Sequence, residues 1–264
     1  MMMFARTVDA GPYVARSAGC PDALPCVNSN GQAPPGGGAV ATSADTNVQA
    51  ATAFISTHQA LLCTGNTGQT SMSRTGVRIY PTVQVPPGST YAEAGYVTQN
   101  VNGPVLQFYS EYADGVGHSP MFIAIGPQTP APPNLYTYYV TLVNKNNQAG
   151  ALAFNDYSSQ YTPQQVAFTQ TPFDPTTDPA WNLPGSTWVA AWISRTTNYG
   201  DDVPGTVANP TVFTSMQVTI NPRVGAVPAT NITTHTEGYA GPRYAAYCAG
   251  TNYRITIRIR LRNG

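Results

Sequence analysis

The sequence predicts an all-β protein, a β-sandwich with an extended N-terminal arm and at most one short helix. The strongest observation is the segment from Tyr253 to Arg262, in which apolar and polar residues alternate without a break. A strand places successive side chains on opposite faces, so this period of two is typical of a half-buried strand. Further segments rich in β-branched and aromatic residues recur along the chain, and clusters of Gly, Pro, Asn and Asp separate them.

Residues 1–44 are predicted to form the arm, and residues 45–264 the sandwich domain. Gly11-Pro12 and the Pro-Pro-Gly-Gly-Gly run at residues 34–38 are incompatible with regular secondary structure. A segment of this composition is ordered only where something holds it, and a neighbouring subunit is an anchor of that kind. The arm is therefore expected to reach across to another copy of the chain.

The single helix is predicted between Asp45 and Leu62, with Ser43 or Asp45 as its cap and an apolar face near Val48 and Ile55. The threonines of this segment favour a strand as the alternative. All later elements are predicted as strands, bounded by turn residues. These strands are Val77–Val85, Val105–Tyr112, Met121–Ile125, Tyr136–Val143, Ala151–Phe154, Gln165–Thr169, Thr187–Ser194, Val212–Ile220, Arg243–Tyr247 and Tyr253–Arg262.

Eight main strands in two facing sheets form a jelly roll, the architecture of viral capsids, lectins and cupins. With its arm, its long polar loops and its terminal strand, the chain resembles a single jelly-roll viral coat protein over residues 45–264. The resemblance is one of pattern, and it transfers no functional residue. It implies a self-assembling capsid subunit, located in the shell of a virion or on its outer surface, whose partners are copies of itself or other capsid subunits.

The composition favours self-association for an independent reason. Charged residues are 9% of the chain, against about 25% in an average soluble protein. Lys145 is the only lysine, and the formal net charge is zero. A surface of this kind lacks the mutual repulsion that keeps proteins apart in solution. The alternative interpretation is a monomer with a surface of Ser, Thr, Asn and Gln.

Arginines fill the polar face of the terminal strand, and three interpretations of them remain open. They could blunt a free strand edge, pair with carboxylates of a neighbouring subunit, or contact nucleic-acid phosphates. The neutral net charge gives nucleic acid weak support, because dedicated binders are usually basic. Basic residues in the arm are also few, namely Arg6 and Arg16. The interface or phosphate-facing candidates are Arg254, Arg258, Arg260 and Arg262.

The tryptophans carry the alternative function, a carbohydrate-binding or receptor-binding sandwich such as a lectin or a virion surface spike. Trp188 and Trp192 fall on one face of a predicted strand. Packed in the core they would be structural; exposed, they would be flat platforms that stack on a sugar. A host receptor or a glycan is then the expected partner.

Motifs for catalysis or metal binding are weak in this chain. Tyr199-Gly200-Asp201-Asp202 matches the metal-binding hairpin of RNA-dependent RNA polymerases, but Pro204 follows where a returning strand should run. We interpret this segment as an exposed turn.

Glu111, Asp114 and His118 fall close together, yet the Gly residues around them indicate a solvated loop. We therefore expect a protein that is not an enzyme, with no catalytic residue, metal or cofactor. No apolar run approaches the roughly 20 residues of a membrane span, so no membrane partner is expected. The redox state of Cys20, Cys26, Cys63 and Cys248 is left open.

Overall fold

The computed structural model describes residues 16–17, 37–60, 62–64, 71–84, 90–100, 104–114, 121–125, 130, 132, 134–142, 150–155, 165–170, 179–197, 201–205, 210–221, 223–238, 244–249 and 254–259. These residues contain seventeen strands and no helix, which confirms the all-β prediction. The strands are β1 Arg16–Ser17, β2 Gly37–Thr42, β3 Ala50–Ser56, β4 Cys63–Thr64, β5 Met72–Pro81, β6 Thr90–Asn100, β7 Pro104–Asp114, β8 Met121–Ile125, β9 Leu135–Thr141, β10 Gly150–Asn155, β11 Gln165–Gln170, β12 Trp188–Thr196, β13 Thr211–Thr219, β14 Val227–Pro228, β15 Thr233–Gly238, β16 Tyr244–Ala249 and β17 Arg254–Ile259.

Two antiparallel sheets face each other, and this arrangement confirms the predicted β-sandwich. The eight-stranded sheet has the order β11-β10-β9-β3-β13-β17-β16, with β14 paired to β13. The seven-stranded sheet has the order β15-β2-β12-β5-β6-β7-β8. The short strands β1 and β4 pair separately, in parallel.

The strand order does not confirm the more specific prediction of an eight-stranded jelly roll. Strands β5, β6, β7 and β8 follow one another in sequence and lie side by side in one sheet, as in a meander. A jelly roll is built from two Greek keys, in which chain neighbours are separated more often. The sandwich also has more strands than the eight predicted.

The predicted helix between Asp45 and Leu62 is wrong. Its central residues form β3, which pairs with β9 on one side and with β13 on the other. The β-branched residues Thr52 and Ile55 suit a strand, and pairing on both sides gives the backbone hydrogen bonds that a helix would have made internally. Tertiary pairing therefore decides the structure of a segment whose local sequence allows both.

Strand β2 lies inside the range predicted as the arm. Residues 37–42 are an internal strand of the seven-stranded sheet, held between β12 and β15. Gly38 fits here because a Cβ at this position would overlap the Ser194 carbonyl oxygen of β12. The sheet thus begins at residue 37. Residues 1–36, apart from β1, lie outside the described residues, so the existence of an arm stays a prediction.

The main core lies between the two sheets and is rich in aromatic rings. Phe108 of the seven-stranded sheet packs edge-on against Tyr136 of the eight-stranded sheet, with ring centroids 5.2 Å apart. Tyr96 and Tyr138 also meet across the sheets, with their rings tilted by 44° and their centroids 6.2 Å apart. Large amphipathic rings of this kind bury much area and also bring a polar group to the sheet interface.

The seven-stranded sheet is unusual because its middle strands are buried on both faces. In β5, Val77 and Ile79 face the main core. On the opposite face, Ala191 and Ile193 of β12 form a second buried cluster with Val40 of β2. Most antiparallel sheets leave one face to water. Here the second face is closed as well, and the candidate site lies on it.

Close approach of β5 and β6 depends on two glycines that lie directly opposite each other, Gly76 and Gly95. A Cβ on Gly95 would overlap the Thr75 carbonyl oxygen and lie 2.6 Å from the Gly76 Cα. The side chain of Tyr109 on β7 lies opposite Gly95 and covers the space that the glycines leave. The missing side chains therefore allow both the strand spacing and the placement of that ring.

The substitution Gly95→Ala is expected to destabilise the fold by at least about 3 kcal/mol, because the added methyl group meets rigid backbone atoms. Gly185→Ala is the matched control: its Cβ would meet nothing within 4 Å, and only the positive φ of 76° opposes it. The control should cost about 1 kcal/mol. Urea unfolding midpoints measure both, and equal midpoints would contradict this account of the strand spacing.

Candidate functional site

A cluster of charged side chains lies on the second buried face of the seven-stranded sheet. Alternate residues of β5, β6, β7 and β12 point to this face, because strands place every second side chain on the same side. We call these residues the charged cluster; its members are Arg74, Arg78, Glu93, Glu111 and Arg195, with Tyr91 and Tyr109 beside them.

Glu93 is the most enclosed member, with no solvent exposure at all. Arg78 lies opposite it on β5, donates from Nε to Glu93 Oε2 at 2.7 Å, and places Nη2 2.5 Å from the same oxygen. Tyr109 donates its hydroxyl proton to the other carboxylate oxygen, Oε1. A carboxylate moved out of water is tolerated only with partners of this kind.

Arg195 joins the two carboxylates. Its Nη2 lies 2.7 Å from Glu111 Oε2 and 3.5 Å from Glu93 Oε2. Arg74 also donates to Glu111 Oε2. The guanidinium groups stay partly accessible, with 11%, 12% and 19% side-chain exposure for Arg74, Arg78 and Arg195, whereas the carboxylates lie beneath them.

The strand register supplies one favourable pair, Arg78 opposite Glu93, and two unfavourable ones. Glu93 lies directly opposite Glu111, and Arg74 directly opposite Arg195. Like charges in such positions repel each other. Contacts across the register, such as that of Arg195 with Glu111, place a guanidinium next to each carboxylate and reverse the sign of the interaction.

Tyr91 adds an aromatic face to the cluster. The Arg78 guanidinium lies 4.1 Å from the ring centroid and that of Arg195 lies 5.3 Å from it. Arg195 Nη2 also approaches the Tyr91 hydroxyl at 3.4 Å. Cation–π contacts between partly desolvated groups contribute about 1 kcal/mol each. Tyr91 therefore helps to fix the position of both guanidinium groups.

The protonation states in the cluster follow from burial and charge together. Burial alone would raise the pKa of Glu93, but Arg195, Arg78 and Arg74 outweigh it and lower that pKa to about 2. Burial, and then the nearby Glu93 carboxylate, raise the pKa of Tyr109 well above its ordinary value. Burial lowers the pKa of Arg195, but Glu93 and Glu111 more than compensate. At neutral pH these three groups keep their protonation states, so they are suited to holding structure and poorly suited to transferring protons.

Of the three residues considered for a metal, Glu111 alone has a side chain that the structure describes. Glu111 is engaged by Arg74 and Arg195, and His118 lies outside the described residues. Within the described part of the chain, no group of three or more His, Cys, Asp or Glu side chains is placed to hold a metal ion. The same part of the chain has no helix with the length and apolarity of a membrane span.

The terminal arginines lie on an internal strand. β17 pairs with β13 on one side and with β16 on the other, so Arg254 and Arg258 do not protect a free strand edge. Arg260 and Arg262 lie outside the described residues. Contact with a neighbouring subunit or with phosphate stays a prediction for all four.

Trp188 and Trp192 both pack against other parts of the sandwich, and neither ring is fully exposed to solvent. Trp192 has no solvent exposure, and its Nε1 donates to the Thr52 carbonyl of the facing sheet at 3.3 Å. Trp188 is half-buried, packs edge-on against Trp181, and donates to the Trp181 carbonyl at 3.0 Å. The carbohydrate platform predicted here is therefore wrong for Trp192, because its ring offers no free face to a sugar.

The acidic pair of the polymerase-like motif is also packed rather than exposed. Asp201 and Asp202 are both buried, which contradicts the predicted exposed turn. They precede Gly205, which bridges to Pro210 just before β13. Burial of carboxylates at this point ties the loop to the sandwich and gives no support to an open metal site.

Comparisons with known proteins give no name to this arrangement: no protein-family model matches the chain, and no curated protein matches its sequence.

Sequence reasoning missed most of the charged cluster, although a signal was present. Arg74 and Arg78 occupy alternate positions of a strand that otherwise reads as apolar or small, and Glu93 lies between two alanines. In a chain with so few charges, charged residues inside strands are expected to pair. Arg195 follows an apolar run and carries the same signal.

Arg195→Met is expected to destabilise the fold by about 3 to 5 kcal/mol, because it leaves two buried carboxylates with fewer partners. Arg223→Met is the matched control, since Arg223 is exposed; it should change the free energy of unfolding by less than about 0.5 kcal/mol. Chemical denaturation at neutral pH measures both. A cost for Arg195→Met as small as that of the control would show that the cluster does not stabilise the fold.

Acid should weaken the fold as Glu93 takes up a proton. Its folded pKa of about 2 lies below the ordinary value of 4.5, so the stabilisation is complete above pH 4.5 and is lost as the pH falls toward 2. The loss amounts to about 3 kcal/mol. Glu93→Gln removes the titrating group, so its free energy of unfolding should vary less across this range. Parallel pH curves for the two proteins would contradict the assignment.

Proposed function

We propose that this protein is a structural subunit that works by self-association, as a virion shell subunit does. The observation that carries the proposal is the lack of charge on the described surface. Of the nine charged residues whose side-chain burial the structure describes, Arg223 alone is exposed. Identical copies of such a surface can pack closely, because few like charges meet at any contact.

The exposed residues of the described surface are instead small, polar or apolar. Asn, Thr and Pro predominate. Among the large apolar side chains, Val224 is 70% exposed, and Leu135, Val83 and Ile220 are exposed to a lesser degree. Exposed single apolar residues are common, and Val224 lies next to the exposed Arg223. Elsewhere on the described surface such residues have few charges around them, which favours contacts between proteins.

The charged cluster supports the same proposal, because it keeps charged side chains away from the surface. It removes three arginines and two glutamates from the surface and uses them to hold neighbouring strands of one sheet together. Its carboxylate Glu93 and its phenol Tyr109 do not titrate near neutral pH, so they offer no general acid or base. The arrangement suits a rigid building block.

The carbohydrate-binding alternative now depends on Trp188, which is half-buried, because Trp192 is buried. A glycan array remains its direct test. Binding by a monomeric protein that forms no larger species would favour the alternative over the proposal.

Assembly is the test of the proposed function. The purified chain is expected to form closed particles or regular rings, visible by negative-stain electron microscopy, with a molar mass by light scattering many times 28.0 kDa. A clean monomer at high concentration would overturn self-assembly as a property of this chain.

A pair of variants at Val224 separates charge from shape. Val224→Glu places a charge at the most exposed of the large apolar residues, and Val224→Thr keeps the size without the charge. If Val224 lies in a contact, only the glutamate variant should shift the mass distribution toward monomer, while both should unfold like the parent protein.

Deletion of residues 1–36 tests the predicted arm and leaves β2 intact. The shortened chain should fold and fail to assemble.

A further inference from the structure

His58 lies at a junction of the two sheets, just after the end of β3. Ser56, the last residue of β3, places its Oγ 3.1 Å from His58 Nε2. The same Oγ accepts the backbone N–H of Val212 on β13 at 2.8 Å. The Pro210 backbone acts on the imidazole as a hydrogen-bond acceptor, which by itself would raise the pKa of His58. One buried ring thus connects the exit from β3 with the entrance to β13.

The seven-stranded sheet holds this segment from the other side. Tyr96 of β6 donates its hydroxyl proton to the Ser56 carbonyl at 3.1 Å and accepts the His58 N–H at 3.3 Å. Thr98, two residues further along β6, accepts the Ala60 N–H at 3.2 Å. The backbone that leaves β3 is therefore fastened to both sheets of the sandwich.

The neutral imidazole satisfies every group in this pattern, whereas the protonated ring leaves one hydroxyl proton without an acceptor. A carbonyl oxygen can only accept, so the contact with Pro210 uses the single N–H of the neutral ring. Nε2 is then the acceptor for the Ser56 hydroxyl proton. A second proton on the ring would turn Nε2 into a donor, and the Ser56 hydroxyl proton would lose its acceptor in a buried position.

We propose that His58, Ser56 and the Pro210 carbonyl form an acid-sensitive latch between the two sheets, closed while the imidazole is neutral and opened when it is protonated. The latch belongs to the single chain, so it does not depend on whether the chain assembles. In a shell subunit it would couple mild acidification to loosening of the sandwich at this end.

The surroundings of the ring agree with this behaviour. Burial lowers the pKa of His58, and the Pro210 carbonyl only partly offsets it; neither cause is a charged side chain. Tyr96 is the titratable group that contacts this segment from the facing sheet, and burial raises its pKa to about 12, so it stays protonated throughout. Because the folded pKa of His58 lies below the ordinary 6.5, stability is complete above that value and falls as the pH drops below it.

Hydrogen exchange of the full-length chain at pH 7.0 and pH 5.5, corrected for the intrinsic pH dependence of exchange, tests the latch. In the parent protein, protection of residues 210–214 should fall by up to about tenfold at the lower pH. A reference segment within β12 should change less. His58→Gln should abolish the pH dependence, whereas His235→Gln, at an exposed histidine of β15, should leave it intact.

Two results would overturn the proposal: equal protection of residues 210–214 at both pH values in the parent protein, or the same pH dependence in His58→Gln as in the parent. If His58→Gln does not fold, the parent protein alone tests the latch. The change in hydrogen-exchange protection of residues 210–214 between the two pH values is then compared with the change in the β12 segment. The range between pH 7.0 and 5.5 lies above the acid titration of Glu93, so the two effects do not overlap.

Discussion

A carboxylate without solvent, Glu93, is the constraint on which the seven-stranded sheet depends. Its charge is stable only because Arg78, Arg195 and the Tyr109 hydroxyl surround it. These partners come from three other strands, so satisfying one buried charge fixes the relative positions of β5, β6, β7 and β12. The glycine pair between β5 and β6 then becomes a geometric requirement, since any side chain there would push the strands and the ion pairs apart.

The two faces of the seven-stranded sheet contribute to the fold in different ways. The face toward the other sheet is filled by aromatic and aliphatic side chains, which supply most of the burial energy. The opposite face uses ion pairs, whose desolvation cost makes them poor sources of stability but strict selectors of geometry. A sheet built in this way has little freedom to slip in register, because a shift by one residue would bury unpaired charges. Rigidity of that kind is what a repeated building block needs.

The sequence allowed the all-β class and several strand positions to be predicted because their patterns are local. β12 and β13 are rich in β-branched and aromatic residues, and the predictions agree with the structure within one or two residues. The predictions missed β2 and β6, where Gly and Ala occupy positions that usually hold larger side chains. Their strand structure comes from close packing against neighbours, which no local pattern encodes. The charged cluster was missed for a related reason: its members come from four strands, and pairing across strands is invisible in one dimension. Burial of Trp192 likewise depends on the opposite sheet.

The position of β2 bears on how the chain can reach this fold. Gly37 N donates to Thr196 Oγ1 across a sequence separation of 159 residues, and the other neighbour of β2, β15, is later still. A strand near the beginning of the chain must therefore wait until β12 and β15 exist before its backbone groups find partners. Contacts of such long range slow folding, and the edge of β12 that β2 covers stays unpaired until β2 docks. For the self-associating subunit proposed above, the timing of that step decides whether neighbours meet as finished sandwiches or as open sheets.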